Sequence, residues 1–170
     1  MKLNIGGTEA KDGWKILNIQ SAPNVDFVGS CIDLSQFQNE SFSEVYASHV
    51  LEHLSHRNDL QAVVGECHRI LEPDCQLKIS VPDMVTLCRL FSAENATVAS
   101  RYDLMLIMFG GQVDEYDFHH VGIWEEFLAH YLNQFGFTSF ERVDVFGLFD
   151  DFSEYRVAGE LISLNMVATK

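Results

Sequence analysis

The sequence predicts a single α/β domain, residues 1–170, built on a mostly parallel β-sheet. Three observations predict it. Short apolar runs recur without clean polar–apolar alternation, the pattern of strands covered on both faces. Helical periodicity intervenes between several of them, and strands alternating with helices make parallel sheets. The 170 residues are 47% hydrophobic, enough for one core, and only 3 prolines interrupt them, with no linker-like or repeated stretch.

Residues 2–5 (KLNI) read as the first strand, closed by Gly6-Gly7. Trp14–Ile19 is the second strand, Val25–Cys31 the third and Ser43–Ser48 the fourth. Arg57–Glu72 is an amphipathic helix: Leu60, Val63, Val64, Cys67, Ile70 and Leu71 recur at spacings of three and four, and Pro73 follows its end. Cys75–Val81 is a fifth strand stopped by Pro82. Residues 83–92 and 94–109 read as helices, and the polar stretch GGQVDEYDFHHVG as a loop. Ile123–Phe135 is a further amphipathic helix ended by Gly136, and Ser139–Phe146 and Leu161–Ala168 are the last strands.

The 11 basic and 25 acidic residues give a formal charge of −14, which repels phosphate backbones and disfavours a nucleic-acid partner. No signal-like segment and no apolar run near membrane-spanning length is present, so the expectation is a cytoplasmic protein without a membrane span. The four cysteines form no C-x-x-C pair and read as small core residues in a reducing compartment. The apolar helices over 83–109 offer a surface to a second copy, as in a homodimer.

In open parallel sheets, ligands bind outside the carboxyl ends of the strands. That rule singles out Gly6-Gly7, Gln20, Ser30-Cys31, Ser48-His49 and Pro82-Asp83. Residues 49–53, HVLEH, also spell H-x-x-E-H, a zinc-peptidase pattern that needs both histidines on one helical face. His49 directly follows a strand, so that face is not expected, and no metal ligand is assigned. A second group, Asp117, His119 and His120, lies in the polar loop, where acid and imidazole side chains can take a proton or orient a substrate.

Together LNIGG, GW-x-x-LNI, SFSEVYASHVLEHL and ECHRILEPDCQLKISVPD resemble the small type-11 S-adenosylmethionine-dependent methyltransferases, in a compact branch. The resemblance covers most of the chain and is most specific over Ser41–Asp83. It implies a Rossmann-like methyltransferase fold with a seven-stranded sheet, an antiparallel final strand and S-adenosylmethionine as cofactor. By position, Gly6 and Gly7 match the glycine loop, Gln20 the ribose-binding acid, and Ser30 and Cys31 the adenine site. Asp33 follows the adenine site, while Ser48 and His49 form the floor beneath the sulfonium. Gln20 and Ser30 replace acids, and only TEAKDG separates Gly7 from Trp14, so the first helix is missing or reduced.

The function so implied is methyl transfer to an oxygen or nitrogen of a small molecule or sugar. His119 is the first candidate base, His53 the second, and Asp117 the orienting residue. The loop 147–160, with Asp150, Asp151 and Tyr155, is expected to line the acceptor pocket. The loss of acidity at Gln20 and Ser30 also fits a catalytically silent binding module of the same fold. A zinc hydrolase is the reading that HVLEH alone suggests.

Overall fold

The computed structural model describes all residues, 1–170. The strands are β1 (Lys2–Ile5), β2 (Trp14–Asn18), β3 (Phe27–Val28), β4 (Phe42–Ser48), β5 (Leu71–Pro82), β6 (Ser139–Val143), β7 (Arg156–Val157), β8 (Glu160–Leu161) and β9 (Ser163–Thr169). The helices are α1 (Asp59–Ile70), α2 (Met84–Phe91), α3 (Val98–Phe109) and α4 (Glu125–Gln134). Single 3-10 turns cover Leu51–His53 and Phe152–Glu154.

Seven strands form one sheet in the order β3-β2-β1-β4-β5-β9-β6, and β7-β8 form a separate hairpin. The pairings of β1, β2, β3, β4 and β5 are parallel, and β9 runs antiparallel between β5 and β6. The order reverses at β1, beside which β2 lies on one side and β4 on the other. The carboxyl ends of these strands therefore open the crevice where ligands bind.

The expected elements are present with shifted ends: β5 begins at Leu71, which was expected in the preceding helix, β6 stops at Val143, and a β7–β8 hairpin is added. β3 shrinks to two residues, because Asp26 spends its carboxylate on Ile16 N–H (2.9 Å) and Lys15 (2.7 Å) instead of extending the ladder. α4 begins at Glu125 because Ile123 bridges to Asp83. The helix after β1 is missing, as the short TEAKDG connection implies. No helix connects β1 to β2, β2 to β3 or β3 to β4; the only crossover helix before β5 is α1.

The two sheet faces differ accordingly. Leu3, Ile5, Val45, Ala47, Leu77, Ile79, Leu164 and Met166 pack against Leu60, Val63, Val64, Leu128 and Leu132 of α1 and α4 in one core cluster. Gly65 lets the two helices approach, since a Cβ there would touch the Phe135 ring at 3.0 Å. The opposite face is covered by chain without helix. Phe146, Leu148 and Phe149 fold onto Trp14 and Tyr46, and the buried Tyr46 hydroxyl donates to Asp151 at 2.8 Å. Charge also lies on that face: Glu44 pairs with Lys2 (2.6 Å) and with Lys78. The loop 147–160 was expected at the ligand pocket. It instead does the work of the absent helices, and Asp150, Asp151 and Tyr155 are not among the pocket's lining residues.

α2 is anchored by Asp83, buried and 2% exposed. Its carboxylate accepts from Val85 N–H (3.2 Å), Thr86 Oγ1 (2.9 Å) and Arg142 (2.8 Å). No helix is long and apolar enough to cross a membrane.

Candidate active site

A cavity of about 680 Å³ lies at the carboxyl ends of β1, β2 and β4 and is roofed by residues 113–118. That volume is within the usual range for small-molecule sites, roughly 300–1,000 Å³. A more open concavity of about 820 Å³ lies over α1, lined in part by Glu66 and Arg69. It is lined by α1 residues including the Arg69–Glu66 ion pair at 2.7 Å and by no residue of the β1, β2 or β4 ends, so the first cavity is the candidate site.

Gly6 opens the wall. Its φ of +80° is a left-handed conformation that side chains resist, and a Cβ there would collide with Val50 Cγ2. Asn18 pins the turn: its amide donates to the carbonyls of Gly6 (3.1 Å) and Gly7 (3.2 Å), and its Oδ1 accepts from Gln20 N–H (2.9 Å). Gly7 packs over Asn4 and does not line the cavity.

Gln20, Ser30, Cys31 and His49 all line the cavity, as do His53 and Asp117. Besides Gly7, two expected cofactor residues lie elsewhere. Asp33 sits in the concavity over α1, where its carboxylate accepts from Ser35 N–H at 3.0 Å. Ser48, the last residue of β4, does not line the cavity, and its hydroxyl is buried without a partner. Burial pushes the Cys31 thiol up to about 11, so it is a neutral wall and not a nucleophile.

The histidines converge because the polar loop folds back over the strand ends. The Glu52 carbonyl accepts from His120 N–H (2.7 Å) and Val121 N–H (3.3 Å), tying the loop to the turn after β4. His53 Nδ1 lies 3.2 Å from the Phe118 carbonyl, and its ring stands edge-on to His119 with centroids 4.7 Å apart. His119 sits behind His53 and does not line the cavity, whereas His53 does. Burial holds the His119 imidazole below its ordinary range, against the pull of Glu52. Asp117 does not orient a histidine in this geometry; its carboxylate accepts from Val113 N–H at 3.3 Å and shapes the loop.

HVLEH forms no helix-borne pair of zinc ligands. His49 leaves β4 at φ +52°, and only a 3-10 turn follows. Glu52 instead points inward, 1% exposed, with Oε1 3.1 Å from His49 Nδ1. His49 Nε2 is 2.9 Å from Ser163 Oγ, whose own proton goes to the Phe152 carbonyl (2.8 Å), so Nε2 is the donor to that hydroxyl oxygen. Burial opposes the Glu52 charge, but His49, His53 and His119 around it hold its carboxyl below the usual range.

Two further residues belong to the site. Asn18 ends β2 two residues before Gln20 and positions the glycine turn. Asp59, the first residue of α1, lines the cavity at its Cys31 end. Neither stood at a strand-end position in the sequence reading. A capping-type acid such as Asp59 has a local role that masks a second one.

Residues 10–79 match the type-11 family described as Methyltransferase domain. Among solved structures, the chain is similar to an S-adenosylmethionine-dependent methyltransferase from Archaeoglobus fulgidus: TM-score 0.63, 14% identity, 99% of this chain and 85% of that one. It is also similar to one from Methanosarcina mazei: TM-score 0.59, 14% identity, 99% of this chain and 91% of that one. A third is the 1,6-didemethyltoxoflavin-N1-methyltransferase of Burkholderia thailandensis, solved with 1,6-didemethyltoxoflavin and S-adenosylhomocysteine bound. Its TM-score is 0.61 at 18% identity, over 99% of this chain and 70% of that one. No curated protein matches. Residues 10–79 thus match the methyltransferase-domain family, and the whole chain has a fold similar to that of the S-adenosylmethionine-dependent methyltransferases.

Proposed function

We propose that the chain transfers a methyl group from S-adenosylmethionine to an oxygen or nitrogen of a small-molecule acceptor. The observation that carries the reading is the convergence of Gly6, Gln20, Ser30, Cys31 and His49 on one cavity at the sheet's switch point. The cradle at Gly6, which a Cβ would fill, fits a ligand that approaches the backbone closely.

Bound there, S-adenosylmethionine supplies an electrophilic methyl on a sulfonium. The glycine turn braced by Asn18 would hold the methionine end, and the uncommitted amide of Gln20 would bond the ribose. Ser30 and Cys31 would wall the adenine, with Asp59 placed to accept from its exocyclic amine. The lining includes Asp59, Asp114, Glu115 and Asp117 and no lysine or arginine, a field that attracts a cationic ligand. The same field favours a neutral or cationic acceptor over a phosphorylated or carboxylated one. His53 is the cavity-lining side chain that can take the acceptor's proton. A neutral ring holding its Nδ1 proton on the Phe118 carbonyl keeps a lone pair on Nε2. The remaining contribution is proximity and orientation.

One observation favours a second reading, a silent binding module. With no helix after β1, the cofactor carboxylate loses the helix N-terminus that would face it. Restoring acids separates the readings. Gln20→Asp and Ser30→Asp should each tighten S-adenosylhomocysteine binding, by about 1 kcal/mol or five-fold, as a charge-assisted bond replaces a neutral one. Unchanged affinity in both would overturn the placement of the cofactor.

A further inference from the structure

We propose that Glu52, His53 and His119 bind a divalent transition-metal ion, zinc first, at the inner wall of the cavity. The proposal deepens the reading above at its acceptor end, but the metal site stands on its own geometry. One carboxylate oxygen and one nitrogen from each ring all lie within 4.8 Å of one another. Donors of a single zinc ion stand roughly 3–4 Å apart at bond lengths near 2 Å, so small side-chain rotations close the site.

The second observation is the state of the carboxylate. Glu52 is 1% exposed, and neither of its oxygens receives an aligned hydrogen bond. His49 Nδ1 comes within 3.1 Å of one oxygen without an aligned hydrogen bond, and the other is bare. His119 Nδ1 is likewise buried with no partner. A buried carboxylate and a buried imidazole lone pair, side by side and unsatisfied, are costly unless something positive lies between them.

The outer contacts fit as well. Metal-binding histidines usually donate their other N–H to a carbonyl or carboxylate, which fixes the tautomer. His53 Nδ1 faces the Phe118 carbonyl at 3.2 Å, and the backbone of Ile107 lies beside the His119 ring. Two imidazoles and one carboxylate form a set suited to zinc, iron(II), cobalt(II) or nickel(II) rather than magnesium or calcium. Three protein ligands would leave a coordination position free, and of the three only His53 lines the cavity. There His53 acts as a ligand, and an acceptor oxygen would meet the metal instead of a free imidazole. The device differs from a helical zinc motif: Glu52 is a ligand rather than a base, His49 is its ion-pair partner, and the third ligand arrives on the loop.

Calorimetric titration of EDTA-stripped protein with zinc tests the site, with cobalt(II) absorption reporting the coordination. One ion per chain at micromolar or tighter affinity is expected. Glu52→Gln, His119→Asn and the more exposed His53→Asn should each weaken it at least about ten-fold, the lower end of what loss of even an outer partner costs. His56→Asn and His130→Asn, on exposed histidines away from the cluster, should leave it unchanged. Absence of stoichiometric binding to folded wild type would overturn the proposal. So would equal affinity in those site variants that circular dichroism shows folded. S-adenosylhomocysteine titrated in EDTA reports separately: binding without a zinc site sinks only the metal, and a zinc site without binding sinks only the cofactor reading.

Discussion

Replacing Gly6 by alanine attacks the cavity wall at one atom. The new Cβ meets two penalties. Its φ of +80° is left-handed, which costs a side chain about 1–2 kcal/mol. It also runs into Val50 Cγ2, and overpacking of that kind costs about 1–3 kcal/mol. The sum, roughly 2–5 kcal/mol, corresponds to a Tm loss of roughly 5–15 °C for a chain of this length. The steric part is separable because it has one partner. Val50→Ala alone should cost about 1 kcal/mol, since the residue is half-buried and loses two carbons. In that background Gly6→Ala should cost only its backbone part, giving a favourable coupling of about 1–3 kcal/mol. Thermal and urea denaturation of the four proteins measure the cycle. Two results would refute the reasoning: a Gly6→Ala loss under 1 kcal/mol, or the same loss with and without Val50. Either would mean that the turn after β1 does not adopt this geometry.

Other perturbations reach the rest of the site and the opposite face of the sheet. Gln20→Ala should weaken S-adenosylhomocysteine about five-fold by calorimetry, the value of one neutral hydrogen bond. Asp59→Asn should weaken it by a factor of about ten, as a charged acceptor becomes neutral, with no such loss for inosine-based analogues that lack the exocyclic amine. Glu44 gives a pH prediction. Burial pushes its carboxyl up, but Lys2 and Lys78 outweigh that and hold it below the ordinary value. A depressed folded pKa gives stability that is present above the unfolded value and lost as pH falls through the carboxylate range. Glu44→Gln should therefore lower Tm at neutral pH and flatten its fall toward acid. An equal acid slope in both proteins would assign the effect to other groups.

The parts of the structure that depend on local periodicity were legible in the sequence. β1 ends where KLNI meets Gly6, and α1 follows the spacing of Leu60, Val63, Val64 and Cys67. The rule that ligands sit beyond strand ends found Gly6, Gln20, Ser30, Cys31 and His49, because it depends only on where each strand stops. It failed where a residue's role is set by side-chain commitments across the fold. Asp33 follows β3 in sequence, yet its carboxylate is taken by Ser35 and faces the other concavity. Asp59 reads locally as a helix-start acid, and its presence in the cavity depends on how α1 packs beside Cys31. The stretch 147–160 is polar and reads as a pocket loop. Only the absence of helices over Trp14 and Tyr46 shows why its Leu148 and Phe149 fold onto the sheet. As a candidate base His119 stood ahead of His53 in the sequence reading, and only the loop's fold-back onto the Glu52 carbonyl shows that His53 lines the cavity while His119 lies behind it.

The central claim is that this crevice holds S-adenosylmethionine. Calorimetric titration of the purified, ligand-free protein with S-adenosylhomocysteine tests it most directly, because the product needs no acceptor and is stable. One-to-one binding at micromolar affinity is expected, weakened in Gly6→Ala and in Gln20→Ala. An absence of heat from demonstrably folded protein, checked by competition against a fluorescent adenosine analogue, would contradict it and leave a methyltransferase fold without its chemistry.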